Sequence, residues 1–334
     1  MNSLPRQLRK VTDRSLLNAI ETGLDLVEAE LKVATTYADK TAGKSARHLI
    51  EAGGKRIRPT LLLLTAQLGD AKRKDVIDAA AVVELTHLGT LYHDDVMDEA
   101  PTRRGVPTAQ VVWGNSVAIL TGDLLFAAAS KAGASLGQKA MQLQAETFER
   151  LCLGQLHETV GPSSEEESIN HYIQVLADKT GSLIAASAVL GVITSGANEK
   201  LIEPLRKYGE SIGVAFQLID DVIDISEAGP SGKTPGTDLR AGVPTLPTLL
   251  LRKAAAEGDA EAQELIELID GGLEKDEDLE IALKGLRNHK VAAEAYEEAK
   301  RWADLAISEL NLLPDGSVKS ALEQFAIAVV ERNN

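Results

Sequence analysis

The chain has 334 residues, 35 basic and 50 acidic, for a net charge of −15. That balance excludes a general nucleic-acid binder, whose footprint is basic, and the length is ample for a large core. The single cysteine excludes an internal disulfide and points to a reducing, cytoplasmic setting. The first seventeen residues, MNSLPRQLRKVTDRSLL, hold no apolar core of the signal-peptide kind. Residues 16–38 then place Leu17, Ile20, Leu24, Val27 and Leu31 on one side and Glu and Lys on the other, an amphipathic helix. A second helix over 44–52 stops at Gly53-Gly54, and Pro59 opens the very apolar stretch 60–68. Long helices are predicted over 75–94, 116–136 and 138–160, the last with a mostly polar outer face. Cys152, between Leu151 and Leu153, reads as a small core residue. After the loop Gly161-Pro162-Ser163-Ser164, helices follow over 169–179, 180–197 and 201–224. The apolar run 183–193 is too short to span a bilayer. No period is visible over 226–245, a length of loop that is usually functional. Helices over 247–256, 260–270, 279–287, 290–310 and 317–331 complete the chain. No alternating strand and no flexible linker is evident, so one all-α domain covering 1–334 is expected.

Two segments break the apolar pattern. His93-Asp94-Asp95-Val96-Met97-Asp98 and Asp220-Asp221-Val222-Ile223-Asp224 each set a DDxxD pentad at the end of an apolar helix. Helical residues four apart share a face, so Asp94 points with Asp98 and Asp220 with Asp224. If the two faces met, they would line an acidic bowl, and carboxylates so crowded need a counter-charge. Hard oxygen ligands on adjacent turns suit Mg²⁺, which binds through one or two carboxylates plus substrate phosphates. The plain alternative is a solvated acidic face, but two copies against Leu, Val and Ile would then only destabilise the fold.

The basic groups stand out against this acidic background. Lys55, Arg56 and Arg58, held between Gly53-Gly54 and Pro59, make a rigid anion cradle in which Arg can grip phosphate bidentately. They could equally be a helix C-cap and its favourable cations. Arg103-Arg104-Gly105 repeats the theme just after the first pentad. His87 lies two turns before Asp94 on the same face, and Gln217 lies three residues before Asp220. Lys179-Thr180 stands at a helix end, and Lys233 in the glycine-rich loop.

The set resembles the trans-isoprenyl diphosphate synthase (polyprenyl synthetase) family. The resemblance rests on GGKRIRP at 53–59, HLGTLYHDDVMDEAPTRRGVPT at 87–108, the KT pair, GVAFQLIDDVIDI at 213–225 and GKTPGTDLRAGVPTLP at 232–247. It covers almost the whole chain and weakens toward the C-terminus. It implies an all-α helical bundle around a central elongation cavity, usually a homodimer, with three Mg²⁺ held on an allylic diphosphate. By that resemblance Asp94, Asp98 and Asp220 are the principal metal ligands, and Asp95, Asp221 and Asp224 ligate or orient them through water. Lys55, Arg58, His87 and Arg104 hold isopentenyl diphosphate, while Arg103, Lys179, Thr180, Gln217 and Lys233 address the allylic prenyl diphosphate. One position departs from the pattern: Val243 stands where many members carry a lysine, and Arg240 is a candidate replacement.

The implied reaction is head-to-tail condensation. Metal and cations neutralise the departing pyrophosphate, and the held isopentenyl double bond attacks the allylic cation. Product length is then a packing question. Gly89 and Thr90, five and four residues before Asp94, are small where short-chain members carry an aromatic group. The expectation is a tunnel open past Gly89, with a floor near Phe126 or Leu136, and a product of about seven to nine isoprene units. A shorter geranylgeranyl product is the alternative, as is a non-catalytic subunit of a heteromeric synthase, though such subunits need not keep both pentads. A terpene cyclase is disfavoured because aromatic residues, whose faces stabilise cyclising cations, are only 3% of the chain.

Overall fold

The computed structural model of the protein describes residue 8, residues 13–227 and residues 235–331. Helix α1 (Arg14–Ala34) starts where the Asp13 carboxylate accepts from the backbone N–H groups of Ser15 and Leu16, at 2.9 and 3.1 Å. It buries Ile20, Leu24, Val27 and Leu31 as expected, with Leu16 in place of the half-buried Leu17 at the start of the stripe. It ends four residues before the expected 38, where the Thr35 hydroxyl donates to the Leu31 carbonyl at 2.7 Å. Helix α2 (Lys40–Glu51) is capped in the same way by Asp39. Gly53 and Arg56 follow with φ of 85° and 46°, a sharp left-handed turn into α3 (Ile57–Ala66).

Helix α4 (Lys74–Met97) is the long buried one, and the first pentad lies on its last turn. An antiparallel pair of two-residue strands then appears where none was expected, β1 (Thr102–Arg103) against β2 (Val106–Pro107). Its tip is Arg104-Gly105, with φ of 55° and 78°, the left-handed pair that a tight hairpin requires. The short α5 (Ala109–Trp113) leads to α6 (Asn115–Gly133) and α7 (Gln138–Val160). Next come α8 (Ser168–Leu176), a π-helical turn over Ala177–Gly181, and α9 (Ser182–Ser195). The second pentad lies on the last two turns of α10 (Ile202–Ile225). The remaining helices are α11 (Thr237–Arg240), α12 (Leu246–Ala256), α13 (Ala260–Asp270), α14 (Asp276–Asn288), α15 (Lys290–Glu309) and α16 (Ser317–Val330). The fold class is all-α, as the periodicity implied.

The chain groups into two compact units: Met1–Glu149, Leu183–Gly209 and Leu310–Phe325 in the first, and Arg150–Ser182, Glu210–Glu309 and Ala326–Asn334 in the second. In the first, α4 lies tightly along α6. Glycines make this close approach possible, since a Cβ on Gly122 would sit 2.4 Å from the His93 ring. In the second, Ile225, Leu239, Leu251, Leu265, Leu283 and Leu286 form a buried apolar cluster. Among the described residues one helical run, Ser168–Ser195, is long and apolar enough to cross a membrane, and 83% of its apolar window is buried.

Cys152 is not a core residue. The buried stripe of α7 is Leu143, Thr147, Leu151 and Gly154, and position 152 falls outside that phase, leaving the thiol exposed. The outer face of the same helix is less polar than expected, because Phe148, Leu153, Leu156 and Val160 are exposed there.

Candidate functional site

Within the first unit, the turn after α2, the end of α4 and the hairpin tip bring four arginines around one histidine. Arg56 is almost wholly buried and fully engaged. Its Nε donates to Glu28 at 2.5 Å and its Nη1 to Glu84 at 2.8 Å. Glu84 is itself buried on α4, so this guanidinium fixes the basic loop rather than presenting charge to a ligand. Arg104 donates to the Leu49 carbonyl at 2.9 Å and to the Gly53 carbonyl. These carbonyls stand at the C-terminal end of α2, where a cation is favoured. Gly54 is needed beside it: a Cβ there would lie 2.9 Å from the Arg104 guanidinium carbon.

Arg58 is different. Its Nε is buried without a hydrogen-bond partner, and burial pushes the guanidinium down to about 10. His87 is held well below its ordinary value, first by burial and then by Arg58, Arg104, Arg103 and Arg56. It is therefore a neutral imidazole inside a positive enclosure. Of the four residues expected to hold isopentenyl diphosphate, Arg58, His87 and Arg104 share this enclosure, and Lys55 is exposed on the adjoining loop. A half-buried guanidinium whose buried Nε lacks a partner fits a phosphate oxygen.

The first pentad adjoins this cluster through Arg103, which donates from Nε to Asp95 Oδ1 at 2.7 Å. Asp95 is buried, and its Oδ2 has no hydrogen-bond partner; burial raises the carboxyl and Arg103 opposes that rise. Asp94 is half-buried and Asp98 is exposed at the helix terminus. Among the described residues no three Asp, Glu, His or Cys side chains gather so as to hold an ion by themselves. A hydrated Mg²⁺ asks for less, one or two carboxylates with phosphate oxygens and waters completing the shell. The donor set here fits that requirement.

In the second unit the second pentad is used differently. Asp221 is buried and accepts from the Tyr172 hydroxyl at 2.7 Å and from the Leu246 backbone N–H at 3.0 Å. Burial pushes its carboxyl up to about 7 against the pull of those two bonds. Asp224 is also buried. Its two oxygens accept from the N–H groups of Thr237 and Asp238 at 3.1 and 3.2 Å, so it caps α11. The face shared by Asp220 and Asp224 is thus divided: Asp220 is half-buried, while Asp224 is spent on the chain that follows the loop.

Lys179 and Thr180 lie on the π-helical turn, inside a continuous helical run rather than at a helix end. The Lys179 ammonium is paired with Glu158. Gln217 is half-buried on α10, seven residues before Asp224 and so on its face. Lys233 lies outside the described residues. Arg240 is paired with Asp276 at 2.5 Å, and Val243 is exposed. Next to Gly89 stands the Phe126 ring: a Cβ on Gly89 would meet it at 2.6 Å. That ring packs between His93 and Phe148, at 5.4 and 4.6 Å between centroids. Thr90 donates its hydroxyl to the His87 carbonyl at 2.8 Å. Sequence reasoning passed over Tyr172, Glu84 and Glu158, whose partners lie 20 or more residues away along the chain.

Comparison with known proteins bears on what this arrangement does. The chain is 43% identical over 317 residues to the nonaprenyl diphosphate synthase of Mycobacterium tuberculosis, covering 94% of each chain. It is 40% identical over 299 residues to a dimethylallyltranstransferase of the same organism, covering 89% of each. A crystal structure of geranylgeranyl pyrophosphate synthase from Corynebacterium glutamicum, complexed with calcium and isoprenyl diphosphate, superposes with a TM-score of 0.87 at 40% identity, covering 97% of this chain and 99% of that one. The Polyprenyl synthetase family model matches residues 39–286, which carry both pentads and the basic loop. By both sequence and fold, the chain belongs to the polyprenyl synthetase family of prenyl-transferring enzymes.

Proposed function

We propose that the protein is a trans-polyprenyl diphosphate synthase that adds isopentenyl diphosphate head-to-tail to farnesyl or geranylgeranyl diphosphate. The observation that carries this reading is the arginine enclosure around neutral His87, with its unanswered Arg58 Nε, beside a carboxylate pentad. One diphosphate is held there without metal, by the cations Arg58, Arg104 and Lys55 and by neutral His87. The allylic diphosphate needs metal as well, and the family works with a divalent ion. We assign Mg²⁺, three ions, to Asp94, Asp98 and Asp220. When bound, the metal neutralises the leaving pyrophosphate and so lowers the barrier to C–O cleavage.

The chain's own residues do the remaining work. Arg103 holds Asp95 in orientation. Lys179, Thr180, Gln217 and Lys233 address the allylic substrate. Asp221 and Asp224 keep the backbone after the second pentad in place. A neutral His87 can donate to a diphosphate oxygen without adding charge. The released pyrophosphate is a base at hand for the final proton.

We assign a long product, about seven to nine isoprene units, on the small Gly89 and on the likeness to a nonaprenyl synthase. A single domain is supported by one family match that draws on both compact units. A homodimer is supported by apolar side chains left in solvent, Leu120 on α6 at 61% and Leu156 on α7 at 54% exposure. A cytoplasmic location is supported by the single unpaired cysteine.

The test is incubation of the purified chain alone with farnesyl diphosphate, isopentenyl diphosphate and Mg²⁺, with products read by mass. Linear products beyond four units support the reading. A cyclic hydrocarbon or no product refutes it, and a stop at four units leaves the reaction but overturns the assigned length.

A further inference from the structure

A single guanidinium ties together the segments that carry Lys179, Thr180 and Gln217. Arg150, on α7, donates from Nε to Asp178 Oδ1 at 2.6 Å and from Nη1 to Glu210 Oε2 at 2.7 Å. Asp178 is 8% exposed and immediately precedes Lys179 in the π-helical turn. Its other oxygen accepts from Gln174 Nε2 at 2.9 Å, and its backbone carbonyl accepts from the Ser182 hydroxyl at 2.5 Å. Glu210 lies on α10 seven residues before Gln217, on the same face of that helix.

A widened turn inside a helix is rare, and where it occurs it often marks a functional position. Here the surroundings are shaped to accept it. A Cβ on Gly154 would lie 2.8 Å from the Lys179 nitrogen, and a Cβ on Gly213 would lie 2.4 Å from the Gly181 Cα. Small residues make room for the turn but do not fix its direction. The charged bonds from Arg150 do, because a guanidinium fork constrains both distance and angle.

We infer that Arg150, acting through Asp178 and Glu210, is a positioning residue that sets the orientation of Lys179 and Thr180 relative to Gln217. It touches no substrate. This rests on the assignment of those three residues to the allylic diphosphate.

The experiment compares Arg150→Gln and Arg150→Lys with the wild type, measuring KM for each substrate, kcat and the melting temperature. Displacing a substrate-aligning group costs about ten- to a hundredfold. The expected result for Arg150→Gln is a loss of that size in kcat over allylic KM, with the isopentenyl diphosphate KM within about twofold of wild type. Arg150→Lys, which keeps the charge but lacks the fork, recovers only part of the loss. If Arg150→Gln only lowers the melting temperature, or raises both KM values alike, the proposal is overturned. Should Arg150→Gln fail to fold, the near-isosteric Asp178→Asn takes its place under the same criteria. Lys179→Ala separates the two levels of the argument. If it leaves the allylic KM unchanged, Lys179 leaves the site and the inference goes with it. If it raises that KM while Arg150→Gln and Asp178→Asn do not, the inference alone fails.

Discussion

The two aspartate pentads share a spelling and differ in employment. In the first, Asp94 and Asp98 sit at or near the surface, and only Asp95 is buried, answered by a cation, Arg103. In the second, both Asp221 and Asp224 are buried and answered by a phenol and backbone N–H groups. A carboxylate paired with a guanidinium is positioned by a side chain and keeps its charge. One that collects backbone N–H groups organises the chain around itself, and its removal strands those donors. The same motif therefore leaves its carboxylates mostly near the surface in one copy and uses them mainly as an anchor in the other. The spacing of the aspartates alone could not distinguish the two.

The contrast can be broken experimentally, beginning with the largest effect. Glu84→Ala should destabilise by about 3–5 kcal/mol, because it leaves the buried Arg56 without its buried partner. Urea denaturation measures this, and a loss below about 1 kcal/mol would mean that the basic loop is held by other contacts. Asp94→Ala and Asp220→Ala should each cut kcat by about 10²–10³ with little change in melting, the loss typical of a removed electrostatic stabiliser. Asp224→Ala should instead cost about 1–2 kcal/mol of stability through loss of the α11 cap. If Asp220→Ala melts as early as Asp224→Ala, the division within the second pentad collapses.

A smaller effect concerns pH. His87 is depressed in the folded protein and has an ordinary value near 6.5 when unfolded, so protonation favours the unfolded chain. Its contribution is complete above about pH 6.5 and is lost as pH falls below that, by at most about 1.4 kcal/mol per pH unit. Denaturation of the substrate-free protein at pH 7 and pH 5.5 should show a steeper loss for wild type than for His87→Gln; parallel losses would contradict the neutral assignment. The smallest effect is expected at Glu158. Its exposed pair with Lys179 is worth up to about 1 kcal/mol, so Glu158→Gln should lower the allylic KM by no more than about fivefold.

Much of the fold could be read from apolar periodicity, as α1 and α10 demonstrate: long stripes mark long helices. The hairpin at 102–107 was missed because each strand has only two residues, too few to alternate, although Arg104-Gly105 between two prolines was a turn signal. Cys152 was placed from its neighbours instead of from helical phase, and phase was the better guide. The candidate site residues were legible as motifs. Their partners were not, since Tyr172 with Asp221 and Phe126 with Gly89 join residues 49 and 37 apart, a pairing only the folded chain specifies. The π-helical turn left no trace in the pattern, because one inserted residue hardly disturbs a helical period over a short window.

The misplaced thiol offers a practical handle. Cys152 is the chain's single cysteine and lies in solvent beside the exposed Leu153 and Leu156. Maleimide chemistry would therefore attach one dye per polypeptide with no engineering, and slowly, since partial burial pushes the thiol upward. Dilution of the labelled protein would then turn the subunit question into a fluorescence reading: self-quenching that fades with concentration reports association across α7, and a flat signal reports its absence.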